Sequence, residues 1–320
     1  MIPIVQISQC APRNNWGELA MTMSREALTK QATDAVDKAI AELADFDLKV
    51  EGATQGMPSI NTASGPASYV ARHRHEYIRT VSDVLQFRPP TLSPVRILEL
   101  GAFFGVNCMA LRSLGYEVIA ADMPEFIENP AQIKRYARHG IAIKGVRLED
   151  FILPFDDESF EIIIMCEVLE HLNFNPLPLL KEINRIGSPN SIFYLSLPNV
   201  AQIRNRIAIL RGKSLGISIA EFFTQLDPQS SEIVNGHWRE YTAAEIREIL
   251  ERLGYRIKKQ YYFSLNETMQ SSTLRRKVSR RFYRKFPWLK ENQTTIAIKE
   301  RRTNLKFRIP ATVHKTLREL

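Results

Sequence analysis

Cysteine is scarce in this chain: Cys10, Cys108 and Cys166 are the only three in 320 residues, and no two form a CxxC pair. A disulfide framework is thereby excluded, and the three read as buried apolar thiols. Long apolar runs are missing too. No stretch approaches the roughly 20 residues needed to cross a bilayer, and the opening MIPIVQISQC has no basic segment before its short apolar run. The expectation is a cytoplasmic globular protein. Internal repeats and low-complexity segments are absent, while 44% apolar content suffices for a sizeable core. Acidic residues thin out toward the C-terminus: residues 256–320 hold 4 of the 35 Asp and Glu but 18 of the 43 Lys and Arg. The remainder is net negative, so the overall charge of +8 belongs to the tail. Any polyanion partner must therefore be argued for the tail alone.

What is present falls into three parts: an N-terminal helical cap with its linker (1–93), a main domain (94–300) carrying a basic insert at about 265–292, and a basic tail (301–320). From Ser24 to about Phe46, Leu28, Ala32, Val36, Ala39, Ile40 and Leu43 recur at helical spacing. The Gly-, Pro- and Ser-rich stretch after them reads as a loop, and a second helix runs from about Tyr69 to Phe87, stopping before RPP. After Pro94 come short apolar runs, VRILEL, YEVIAAD, IAIKGV, FEIIIMCE and SIFYLSLP, with helical patterns at 106–114, 128–139 and 176–186 between them. That alternation predicts an α/β fold, a doubly wound, mostly parallel sheet with helices on both faces. TAAEIREILERLG then opens with a capping box, Thr242 with Glu245, and closes at Gly254; strands YRIKKQYYFS and TTIAIKE follow, making seven.

Ligands of such sheets lie beyond the carboxyl ends of the strands, so strand ends carry the candidate chemistry. The first strand ends in Glu99, Leu100 and Gly101, with Gly105 opening the next helix. The second ends at Asp122, where a carboxylate can accept from both hydroxyls of a ribose or merely cap a turn. Phe103 stands where a glycine is expected; with a negative φ its ring would point away and leave Gly101 and Gly105 to approach a ligand. The imidazoles of HRH at 73–75 fall on different sides of a helix with nothing nearby to complete a ligand set, so no metal is expected. His171 suits either a helix start or a catalytic role, and His237 a substrate-facing one beside Asn199.

Three stretches, LEDFILPFDDESFEIIIMCEVLEHL at 148–172, FYLSLPN at 193–199 and GHWREYTAAEIREILERLGYRI at 236–257, together resemble the class I S-adenosylmethionine-dependent methyltransferases, in particular their small-molecule and glycan-modifying branches. The likeness covers about Arg96 to Lys299. It implies a Rossmann-like sheet with S-adenosylmethionine as cofactor. It places Glu99 near the methionine part, Gly101 and Gly105 in close backbone approach, Asp122 on the ribose and Met123 on adenine. Glu149 or Asp150 is expected on the adenine amino group with Phe151 beside it, and Cys166 and Glu167 at the transferring methyl.

The leading expectation is O-methylation of a sugar, glycan precursor or similar polar compound, with His237 and His171 as catalytic candidates and Glu167 and Asn199 facing the acceptor. A nucleic-acid methyltransferase using the basic tail as phosphate clamp is the alternative. The Asn/Asp-Pro-Pro-aromatic signature of base-amine enzymes is missing, since that site reads CEVLEHL. A non-catalytic binding protein of the same fold is the third, motivated by Phe103. Within the basic insert, Leu274, Val278, Phe282 and Phe286 form a helical stripe flanked by Arg and Lys, which either packs on the domain or contacts an anionic membrane at its inner face.

Overall fold

The computed structural model describes residues 24–43, 65–90, 94–216, 219, 236–264 and 281–306. Helix α1 (Arg25–Ala41) starts where the Ser24 hydroxyl accepts from Ala27 N–H, and its buried positions Leu28, Ala32, Val36 and Ala39 make one stripe. Helix α2 (Gly65–Phe87) packs beside it, tied by a two-pronged Arg74–Asp37 pair at 2.5 and 2.6 Å. The stripes of both helices share one continuous core with residues of the sheet, among them Ile97, Ala120, Ile162 and Tyr194. Burial in a common core, rather than helix propensity, is what holds α1 and α2 in place.

Seven strands follow: β1 (Arg96–Leu100), β2 (Glu117–Asp122), β3 (Ala142–Gly145), β4 (Phe160–Cys166), β5 (Gly187–Pro198), β6 (Tyr255–Phe263) and β7 (Asn292–Lys299). They form one sheet in the order β3-β2-β1-β4-β5-β7-β6, with β1 to β5 parallel and β7 antiparallel to both its neighbours. The chain order runs outward from β1 in one direction and from β4 in the other. This leaves the crevice between their carboxyl ends as the place where a ligand fits. Between strands lie α3 (Val106–Ser113), the single turn α4 (Pro124–Ile127), α5 (Pro130–Arg138), α6 (Leu177–Ile186), α7 (Ile203–Leu210) and α8 (Ala243–Arg252). The α8 capping box is present, with Thr242 N–H donating to Glu245 at 2.8 Å and Glu245 N–H to Thr242 at 3.2 Å. Gly254 follows at φ +90°, where a Cβ would meet the Arg301 backbone at 2.7 Å.

Within the basic insert, Leu274, Val278 and Arg275–Arg280 lie outside the described residues. Phe282, Phe286 and Trp288 make a small aromatic stack, with Arg281, Arg284 and Lys285 exposed around it.

Candidate active site

A cavity of about 490 Å³ opens at the carboxyl ends of β1, β2 and β4, under α2. Its floor is the loop after β1. Gly101 N–H and Ala102 N–H both donate to the Ala121 carbonyl, which seats the loop on β2. Asp122 completes the seat: Oδ2 accepts from Phe103 N–H at 2.8 Å and Oδ1 from Met123 N–H at 2.7 Å. Each oxygen keeps a second lone pair toward the cavity, the requirement for gripping a diol. Glu99 and Asn107 line the same floor; Glu99 accepts from the Asn107 amide and the Cys108 thiol, both at 2.8 Å.

Phe103 departs from expectation. Its φ is +48°, the left-handed region that a glycine would take there, at a cost of about 1 to 2 kcal/mol for a residue with a side chain. Stacking holds it: its ring lies 5.1 Å from Phe126 and nearly parallel to it, with Tyr69 edge-on at 5.2 Å. Its carbonyl accepts from Gln132 at 3.1 Å and Tyr136 at 3.3 Å. The ring therefore does not turn away; it is part of the cavity wall. Gly101, at φ +73°, has its missing Cβ position occupied by the Val168 side chain, 2.2 Å away. Gly105 sits behind the wall, where a Cβ would meet the Tyr136 ring at 2.4 to 2.7 Å. It allows packing rather than ligand approach.

Met123 and Glu149 face the cavity. Asp150 and Phe151 lie just outside it, Phe151 turning edge-on to Phe174, itself a lining residue. Beyond β4, Cys166, Glu167 and His171 line the opposite side of β1 from Asp122 and Glu149. Helix α2 adds Tyr69, His73 and Glu76, which the sequence did not single out as ligand-facing. Asn199 is a correction. It is fully buried, donates to the Trp288 and Lys290 carbonyls at 2.9 Å and accepts from Ala201 N–H at 3.1 Å, so its amide is consumed in bracing the chain before β7.

The β4 side is dense in carboxylates. Glu76 accepts from Ser196 Oγ at 3.1 Å and pairs with His73 at 3.2 Å. Glu167 and Glu170 have protonation equilibria displaced upward, Glu170 to about 8; burial is the first cause for both, with neighbouring carboxylates adding to it. Burial, reinforced by His237, pushes His171 down to about 4, leaving it neutral at physiological pH. His237 stands against it, ring centroids 4.8 Å apart and edge-on, because Trp238 N–H and Arg239 N–H donate to the Glu170 carbonyl. His237 is half-exposed, with Nδ1 2.9 Å from Glu240. The metal expectation looked only at His73 and His75; the residues that gather instead are Glu170, His171 and His237.

These residues fit an S-adenosyl cofactor. Asp122 offers acceptors for a ribose, Glu149 an acceptor beyond β3, and the buried Asn107 Oδ1, which has no hydrogen-bond partner, offers one to an amino group. Burial raises Glu99 to about 7 and Asp122 to about 6, above their usual 4.5 and 3.8. For an acid raised in the folded state, the folded chain holds protons that the unfolded chain releases. The contribution of these two acids to ligand-free stability is therefore full below about pH 4 and is lost as pH rises to about 7, by about 3 kcal/mol for Glu99 alone. Guanidinium midpoints that fall between pH 5 and pH 8 are the expected result; midpoints that rise would refute it.

Residues 70–260 match the family model described as a methyltransferase domain. A curated protein of Mycolicibacterium smegmatis, described as a "probable S-adenosylmethionine-dependent methyltransferase", is 28% identical over 162 residues, 50% of this chain and 52% of that one. The chain thus spans about half the length of the curated relative it matches. Among solved structures, a SAM-dependent methyltransferase from Archaeoglobus fulgidus aligns at 17% identity over 72% of this chain and 99% of that one, with a TM-score of 0.45. Another, from Methanosarcina mazei, aligns at 19% identity over 66% and 94%, with a TM-score of 0.46.

Proposed function

The chain belongs to the methyltransferase domain family, and from that membership we propose that it transfers a methyl group from S-adenosylmethionine to a hydroxyl of a polar acceptor, a sugar or glycan precursor. The observation that carries this reading is the division of one cavity by β1. Acids suited to a nucleoside, Asp122 and Glu149, stand on one side, and the carboxylates and imidazole that follow β4 stand on the other. The cofactor supplies a methyl group on a sulfonium, open to in-line displacement. Asp122 and the loop from Gly101 to Phe103 bind and orient; the rings of Tyr69, Phe103 and Phe126 exclude water. A hydroxyl acceptor must lose a proton, and the cluster after β4, Glu167 beside His171 with His237 behind it, is the group that supports its departure. After β4 the chain reads Cys-Glu-Val-Leu-Glu-His, without the Pro-Pro turn that base-amine enzymes use, which supports an oxygen acceptor over a nucleobase.

No helix among the described residues is long and apolar enough to cross a membrane. The exposed Arg281, Arg284 and Lys285 support a peripheral contact with an anionic surface, which suits an acceptor carried on a lipid. The test is transfer of labelled methyl groups into fractionated host extract, with and without nuclease. Label in a nuclease-resistant polar or glycan fraction, with release of S-adenosylhomocysteine, is the expected result. Label lost to nuclease establishes the nucleic-acid reading, and cofactor binding without turnover in any fraction establishes a binding protein.

A further inference from the structure

The loop after β4 and the loop before α8 bring together one carboxylate and two imidazoles. The ligand-type atoms of Glu170, His171 and His237 all lie within 4.8 Å of one another. Glu170 is 0% exposed, and neither of its carboxylate oxygens has a hydrogen-bond partner. A carboxyl group buried in that state is stable only if it is protonated, paired with a cation or bound to a metal. His171 Nε2 stands 3.9 Å from Oε1, too far for a hydrogen bond. His237 is held from behind by Glu240, whose Oε1 lies 2.9 Å from Nδ1. A carboxylate behind the imidazole is the arrangement that metal-binding histidines use to set ring orientation and basicity. The backbone hydrogen bonds from Trp238 and Arg239 to the Glu170 carbonyl hold the two loops in this register.

We propose that Glu170, His171 and His237 bind one divalent transition-metal ion of the zinc, manganese or cobalt class at the β4 side of the cavity. Two imidazoles with one carboxylate suit such ions, whereas Mg²⁺ and Ca²⁺ favour all-oxygen sets. An ion holding three ligands tetrahedrally at about 2.0 to 2.2 Å keeps them about 3.3 to 3.6 Å apart, so the cluster closes with side-chain shifts of up to about 1 Å each. Three protein ligands leave a coordination position open. Of the three, His171 lines the cavity, together with Glu167, whose Oε1 is also without a hydrogen-bond partner.

The use of the open position rests on the reading of the site as a hydroxyl methyltransferase. An acceptor oxygen bound there is acidified. Its proton would pass to Glu167, whose ionised form a neighbouring metal ion would favour, while the oxygen forms a bond to the methyl carbon and the carbon–sulfur bond of the sulfonium breaks to leave the thioether.

Metal binding is tested on the full, tag-free chain after chelator treatment. Zn²⁺, Mn²⁺ and Co²⁺ are each titrated alone by calorimetry, and Co²⁺ is followed by its visible absorption. One ion per chain with saturable binding is expected, weakened at least tenfold in Glu170→Gln and in His237→Ala. Because His237 is half-exposed, His237→Ala keeps the test valid if the buried Glu170→Gln fails to fold. Absence of saturable binding, preference for Mg²⁺ over all three ions, or unchanged affinity in His237→Ala overturns the site. S-adenosylmethionine binding to the chelator-treated protein is measured separately. Its absence beside intact metal binding overturns the methyltransferase reading and leaves the metal site standing.

Discussion

His237→Gln is expected to lower turnover by about 10² to 10⁴-fold while leaving S-adenosylmethionine affinity nearly intact. Glutamine preserves the approximate reach of the side chain but supplies no ring nitrogen lone pair and cannot keep the Glu240 contact in the same geometry. The loss belongs to the chemical step because His237 stands behind His171, on the far side of β1 from the nucleoside acids. Single-turnover kinetics beside calorimetry check both halves of the statement. Unchanged turnover would show that the proton leaves by a route independent of His237, and a parallel loss of cofactor affinity would move this residue to the other end of the cavity.

For Asp122→Ala the expected loss is in binding: S-adenosylmethionine affinity falls roughly tenfold to a hundredfold. Two losses combine in this substitution. The acceptors for the ribose disappear, and the backbone N–H groups of Phe103 and Met123 lose the carboxylate that organises the loop. Calorimetry distinguishes them with Asp122→Asn, which keeps one oxygen but turns an amide donor toward a backbone donor and is expected to fall between wild type and Asp122→Ala. Equal affinity in Asp122→Ala would remove this residue from the cofactor site.

The sheet was legible because its central strands β1, β4 and β5 are largely buried on both faces and so read as unbroken apolar runs. The α8 start was legible because a capping box is local: Thr242 and Glu245 carry the whole signal within four residues. Phe103 was misread for the opposite reason. What stabilises its left-handed backbone is a ring stack with Tyr69 and Phe126, residues 34 before and 23 after it, and no local pattern announces that contact. Asn199 follows a strand end whether its amide faces a ligand or braces a loop, and sequence does not distinguish the two. Nothing local marks Glu170, and only the fold, by placing the loop before α8 against it, reveals that its carboxylate is buried beside two imidazoles.

Helix α2 presents Tyr69, His73, Glu76 and Tyr77 to the cavity and buries Val70, Ile78, Val81, Val84 and Leu85 in the core. The two stripes are interleaved along one rod that turns about 100° per residue. A point substitution on the cavity-facing stripe is felt at its own contacts, Tyr69 through the Phe103 ring and Glu76 through Ser196, and leaves the register of the other stripe in place. An inserted or deleted residue within the helix has no such latitude. It rotates every later position by that angle at once, turning pocket residues into the core and core residues into the pocket, and the length of α2 is therefore the quantity that drift in this lineage must leave alone.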